Sequence, residues 1–392
     1  MLIPLWTYIK SKSSQRLREI ALETMDYYTL GRTGLRVSRL ALGTMTFGED
    51  WNWGASEDGA REIFDTYVEA GGNFFDSADL YVNGKSEKML GQFIAERNMR
   101  DKAVIATKFS YNSDPGNPNA GGNGRKNIIR AVEGSLERLG TDYIDLYYLH
   151  TWDQLTRPEE VMRTLDDLVA SGKVRHFALS DVPSWYAMRC QTLAEFRGYD
   201  PVSAIQLEYS LVERNIEGEY IDLATRYDMG VIAWSPLASG LLSGKYKPGQ
   251  GDEKPSGEGR LATTAGSGNS AFDKFSDRNW SIVSALEAVA EDAGHSMAQV
   301  AINWVANQPG VSAVLIGATK EHQIEDNLGA LSFDLTDAQK QKLAEASKPS
   351  LGFPYSFFGP EMAAMMTGGA HVGEKPKNFG VERYFDADPA GV

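Results

Sequence analysis

Cysteine is almost missing from this chain. Cys190 stands alone among 392 residues, so an internal disulfide framework is excluded and a reducing, cytoplasmic setting is expected. Histidine is scarce too: His150, His176, His295, His322 and His371 form no ligand-like pairs, which argues against a zinc-type centre. No apolar run is long enough to cross a bilayer. Positive charge is in deficit, with 39 Lys and Arg against 53 Asp and Glu, a net charge of −14. That balance disfavours nonspecific contact with nucleic acid or acidic membranes. An anionic cofactor is still allowed, because a helix N-terminus and a few local cations hold phosphates. The 42% apolar content supports a sizeable core, in a length that suits one large α/β barrel or two ordinary domains.

Three parts are expected. Residues 1–24 read as an N-terminal extension, too weakly flanked for a secretory signal, with Met25 a candidate second start. Residues 25–349 carry a regular pattern, and residues 350–392 read as an irregular tail near the mouth of the fold. The pattern opens with Tyr27 to Leu30, a Gly31-Arg32-Thr33-Gly34 turn, and Leu35 to Ser38, which predict a hairpin.

From Leu40 onward short apolar runs alternate with helical periodicity. Helices are expected over Glu57–Glu69, 86–96, Arg125–Leu139, Pro158–Ala170, 217–227, Met297–Ala306 and 338–346. Capping boxes are expected at Thr156, Ser296 and Thr336, each with Glu or Gln in the third position after it. The intervening runs are nearly continuous in apolar residues, as parallel strands buried on both faces require. Eight such runs, each followed by a helix, predict a closed (β/α)8 TIM barrel with its site at the C-terminal strand ends. The rival, an open doubly wound sheet, lacks its glycine fingerprint after the first strand. Loops 110–124 and 237–275 break the rhythm and are expected over the mouth, the second as a lid.

Three strand ends carry chemistry. Asp76-Ser77-Ala78-Asp79-Leu80-Tyr81 presents a carboxylate and a phenol five positions apart; Lys108 and His150 end two later runs. A lysine ammonium at ~4 Å, in an effective dielectric of ~20, favours a phenolate by ~4 kcal/mol. Against a free tyrosine pKa of ~10, that is a lowering of at most roughly three units. Lys108 is therefore expected to activate Tyr81, Asp76 to orient Lys108, and His150 to direct a substrate oxygen. Any one of these residues alone would be read as structural; their joint placement is what points to a reductase. An aromatic mouth of Trp51, Trp53, Trp152, Tyr209 and Phe357 is expected, with Trp51 and Trp152 touching an aromatic or polycyclic substrate.

With these motifs together the chain resembles the aldo-keto reductases, in the branch of aryl-alcohol dehydrogenases and potassium-channel β-subunits. The likeness also rests on Gly84-Lys85-Ser86-Glu87, Leu179-Ser180, Ile205-Gln206, Trp234-Ser235-Pro236-Leu237 and Ile316-Gly317-Ala318-Thr319. It implies reversible hydride transfer between a nicotinamide cofactor and an aldehyde or ketone, with Asp76, Tyr81, Lys108 and His150 as the catalytic set. It implies that Ser180 and Gln206 hold the carboxamide, with Asp181 at the cofactor position beside them, that Trp234 stacks on the ring, and that Thr44 and Met45 lie near its ribose. Ser235, Pro236, Leu237, Ser239, Lys245 and Arg260 match the pyrophosphate and lid positions. Gly317, Thr319, Gln323, Asp326 and Asn327 match the adenosine end.

Two positions depart from the family pattern. Asp181 replaces a common Asn, and Gln323 stands where an arginine often meets the 2′-phosphate, with Lys320 as a substitute cation. NADP(H) is the preferred cofactor on this reading and NAD(H) the second choice. The alternative function is a redox-sensing regulatory subunit with little turnover. His150 speaks against it, because the channel subunits tend to lack that histidine. No oligomeric state is set by the sequence.

Overall fold

The computed structural model describes residues 25–51, 53–249, 261, 273–350 and 352–370. The chain divides into two compact units, one ending at Lys348 and the other beginning at Pro349.

The first unit is built on eight parallel strands: β3 (Leu40–Gly43), β4 (Phe74–Asp76), β5 (Val104–Phe109), β6 (Ile144–Leu149), β7 (Val174–Ser180), β8 (Ala204–Glu208), β9 (Gly230–Trp234) and β10 (Val311–Ile316). They pair in sequence order, and β10 closes onto β3, so the sheet is a barrel without edges. Before them β1 (Tyr27–Thr29) and β2 (Arg36–Ser38) pair antiparallel as the expected hairpin. Its turn requires glycine at Gly31, where φ is +54° and a Cβ would meet the carbonyls of Asp228 and Ser203 at 2.5 Å.

Side chains alternate between two cores, as the period of a strand demands. One set fills the barrel: Ala41, Phe74, Val104, Ala106, Leu146, Tyr148, Ala178, Ala204, Ile232, Ala313 and Leu315 cluster there with Leu30 and Val37 of the hairpin. The other set, including Leu40, Leu42, Phe75, Ile105, Tyr147, Phe177 and Ile205, packs against the surrounding helices. The inward series has a consequence for function. Two positions beyond the last inward filler come Asp76, Lys108, His150, Ser180, Gln206 and Trp234. Six strands thus deliver an inward residue, at or just past their C-terminal part, to one end of the barrel.

Most expected helices form with the predicted bounds, and the Ser296 and Thr336 capping boxes are both closed. The Thr156 box does not form. Arg157 takes the N-cap ahead of Pro158, and the Thr156 hydroxyl donates instead to Asp153 at 2.6 Å. Three further helices, Ser184–Arg197, Asp277–Ala293 and Glu321–Leu328, are not among those expected. The second unit is not wholly irregular, since it contains a helix over Pro360–Thr367. Proline at its first position, an Ala/Met-rich interior and the left-handed Gly368 at its end explain it. Residues 1–24 lie outside the described residues, as does most of 250–272.

Candidate active site

The loop after β4 stays zipped to β5: the Ser77 N–H donates to Ala106 O at 2.9 Å and the Asp79 N–H to Lys108 O at 3.1 Å. It then turns sharply through Tyr81–Gly84, with Val82 and Asn83 in the left-handed region at φ +48° and +54°. Bulky residues adopt this conformation only where the surroundings enforce it. Here the turn brings the Tyr81 hydroxyl to 3.4 Å from Lys108 Nζ.

Lys108 is fully buried. Its ammonium donates to Asp76 Oδ1, to Ser77 O at 2.8 Å and to Tyr81. Burial alone would lower its pKa, but the Asp76 carboxylate and the Tyr81 oxygen outweigh that and the net shift is upward. Asp76 is occupied on both oxygens, because Oδ2 accepts from the Gln206 amide at 2.8 Å.

Tyr81 corrects an expectation. Lys108 does pull its pKa down, but burial is the larger effect and Asp76 adds to it, so the phenol lies above its ordinary value of 10. The expected lowering by the ammonium is outweighed by desolvation of the phenol. The phenol is thereby held in its protonated form.

His150 stands beside it, edge-on to Tyr81 with ring centroids 5.9 Å apart and edge-on to Tyr111 at 5.0 Å. Burial, then Lys108, pushes its pKa well below 6.5, so the imidazole is neutral. Its Nδ1 has no hydrogen-bond partner among the described residues. Its backbone N–H is held by Phe109 O at 2.9 Å and Ser110 Oγ at 3.1 Å.

Most residues singled out from the sequence line one cleft of about 1670 Å3. Met45, Asp76, Tyr81, His150, Asp181, Gln206 and Trp234 line it together with the aromatic Trp51, Trp53 and Trp152. The wall continues through Ser235, Pro236, Leu237, Ser239 and Lys245 to Gly317, Thr319, Gln323, Asp326 and Asn327. Thr44, Lys108 and Ser180 are buried and are not part of its lining. The Thr44 hydroxyl donates to Asp76 O at 3.1 Å and accepts from Ser86, so it braces the site. Arg260 lies outside the described residues. Gln323 Oε1 accepts from both the N–H and the hydroxyl of Thr319, at 2.9 and 3.2 Å, so that oxygen is already engaged.

Tyr209 is a second correction. It does not line the cleft; it is buried, its hydroxyl donates to Glu217 at 2.6 Å and its ring packs on Trp304. Tyr111, Gln154 and His322 do line the cleft and were missed. Tyr111 sits three residues past Lys108 in a mouth loop, and that position was the available signal.

A cleft at the C-terminal end of a closed parallel barrel, walled by buried acid–base groups, is the active site of a barrel enzyme. The chain belongs to the aldo/keto reductase family, whose sequence model matches residues 39–348. It is 34% identical to an aryl-alcohol dehydrogenase of Pestalotiopsis microspora over 333 residues, 83% of each chain. It is 32% identical to a norsolorinic acid reductase of Aspergillus flavus over 332 residues, 83% of this chain and 81% of the relative. It is also 36% identical to a probable voltage-gated potassium channel subunit beta of Oryza sativa subsp. japonica over 313 residues, 78% of this chain and 91% of the relative. The protein is an oxidoreductase of the kind that reduces carbonyl compounds. No described helix is long and apolar enough to cross a membrane.

Proposed function

We propose that the protein is an NADP(H)-dependent reductase of aromatic aldehydes or ketones, working reversibly, with Tyr81 as the proton donor. The reading is carried by the buried relay in which Asp76 holds Lys108 and Lys108 reaches the Tyr81 hydroxyl at 3.4 Å on the wall of the cleft.

The cleft fits a nicotinamide dinucleotide. Its volume exceeds the ~300–1,000 Å3 of an ordinary small-ligand pocket, leaving room for cofactor and substrate together. Trp234, Gly317, Thr319 and Asn327 line this cleft; Trp234 would stack on the nicotinamide ring and the other three would hold the adenosine end. When bound, the nicotinamide supplies or accepts the hydride.

The protein's own residues do the rest. A neutral His150 donates one N–H to the carbonyl oxygen, which suits an imidazole whose Nδ1 is unpaired. Tyr81 passes its proton to the same oxygen, and the Lys108 ammonium stabilises the phenolate left behind. Asp76 and Ser77 O hold that ammonium in place. Trp51, Trp53, Tyr111 and Trp152 give the mouth an aromatic lining suited to an aryl substrate. NADP(H) is preferred because the exposed Lys320, next to Thr319, would bring a cation to an additional phosphate.

The test is NADPH oxidation with a reactive aromatic aldehyde, measured for wild type and Tyr81→Phe. Loss of ~10²–10⁴-fold in kcat with unchanged NADPH affinity is expected. Wild-type activity in the variant would overturn the assignment. Nucleotide binding with no Tyr81-dependent turnover would favour a regulatory subunit.

A further inference from the structure

Asp181 follows Ser180 at the end of β7 with φ +45°, a conformation non-glycine residues seldom adopt, and its side chain lines the cleft. Its Oδ1 accepts the indole N–H of Trp234 at 3.1 Å, and Ser180 Oγ lies 3.4 Å from Oδ2. The two buried lysines nearby are already taken: Lys108 is paired with Asp76 and Lys274 with Glu208. Asp181 is exposed to the cleft, and a carboxylate there without a paired lysine is favoured when a ligand that covers it brings a positive charge.

We propose that Asp181 makes the cleft prefer the oxidised, cationic form of a nicotinamide over its reduced, neutral form. This rests on the nicotinamide reading above. The Trp234 ring sets the geometry. A carboxylate bonded to the indole N–H stands beside whatever stacks on that indole. A unit positive charge ~7 Å away, at an effective dielectric of ~20, is favoured by roughly ten- to a hundredfold. Preference for the oxidised form shifts the bound equilibrium towards alcohol oxidation, by the amount that the two affinities differ.

The preference depends on the charge. Desolvation by the surrounding cleft walls pushes the Asp181 carboxyl up to about 6. The groups facing it are Trp234 and Ser180, which bond the ionised form, Glu208, which opposes ionisation, and Lys108, which favours it. The phenols of Tyr81, Tyr111 and Tyr220 also face it and feel its charge. The carboxylate therefore acts fully above about pH 7 and is lost as pH falls through 6.

Calorimetric titration of the full chain with NADP+ and with NADPH, at pH 7.5 and pH 5, tests this. Asp181→Asn keeps an acceptor for the Trp234 N–H and removes only the charge. The ratio of the NADPH to the NADP+ dissociation constant should fall about tenfold or more in the variant at pH 7.5. The wild-type ratio should fall in the same direction between pH 7.5 and pH 5, a readout that needs no variant. An unchanged ratio, even with both affinities weakened equally, would mean that Asp181 only positions Trp234, and the proposal fails. A wild type that binds neither nucleotide would overturn the nicotinamide reading, and this inference with it.

Discussion

The Gln206 amide donates to Asp76 Oδ2 at 2.8 Å, joining two strands whose residues are 130 positions apart in the chain. With Lys108 on Oδ1, the carboxylate has both oxygens filled inside the barrel. Asp76 is thus the counter-charge of the site and also its internal brace.

Asp76→Asn leaves the Lys108 ammonium buried without a counter-charge. Removing one partner of a buried pair costs about 3–5 kcal/mol. Urea unfolding of the variant should show a loss of about 3 kcal/mol or more, together with a large fall in kcat. A loss below about 1 kcal/mol would show that the pair contributes little to the fold.

The pH dependence of turnover follows from two opposite shifts. Tyr81 lies above its ordinary 10 and His150 well below 6.5, so neither changes charge between pH 7 and 9. Carbonyl reduction should therefore hold a level kcat/KM across that range, whereas alcohol oxidation, which needs the phenolate, should rise with pH. A reductive limb centred below pH 8 would show the phenol ionising early and contradict the assignment.

Asp79 gives a stability signature. Burial, then the neighbouring Glu87, raises its carboxyl to about 7, against Arg138. The unfolded chain releases that proton near the ordinary carboxyl value of 3.8 and the folded one near 7. The folded state therefore binds the proton more tightly. The stability so gained is complete below about pH 4 and is lost as pH rises through 7. Asp79→Asn should remove this slope and be the more stable protein at pH 8, by at most about 4 kcal/mol. Parallel wild-type and variant stability curves from pH 4 to 8 would refute it.

Much of this was legible in the sequence because barrel strands obey a simple parity. Phe74 then Asp76, Ala106 then Lys108, and Tyr148 then His150 alternate as strands must, so the strand-end residues could be assigned to one interior. The same rule, applied further, excludes Tyr209, which is three positions from Gln206 and falls on the opposite face. Helix Ser184–Arg197 was missed because its apolar residues point both ways: Trp185 is 56% and Phe196 85% exposed, which blurs the stripe. The direction of the Tyr81 shift needed the depth of burial. No spacing of residues supplies that.

The barrel strands tolerate substitution better than they tolerate a change of length. One residue inserted between Ala106 and Lys108 would leave every chemical group in place and aim the lysine at the helices. Evolution of this enzyme is therefore confined by reading frame within each strand. The mouth loops, such as 110–124, have no such frame to keep. New substrates can be reached there by lengthening and shortening the chain, while the relay beneath stays fixed in count as well as in kind.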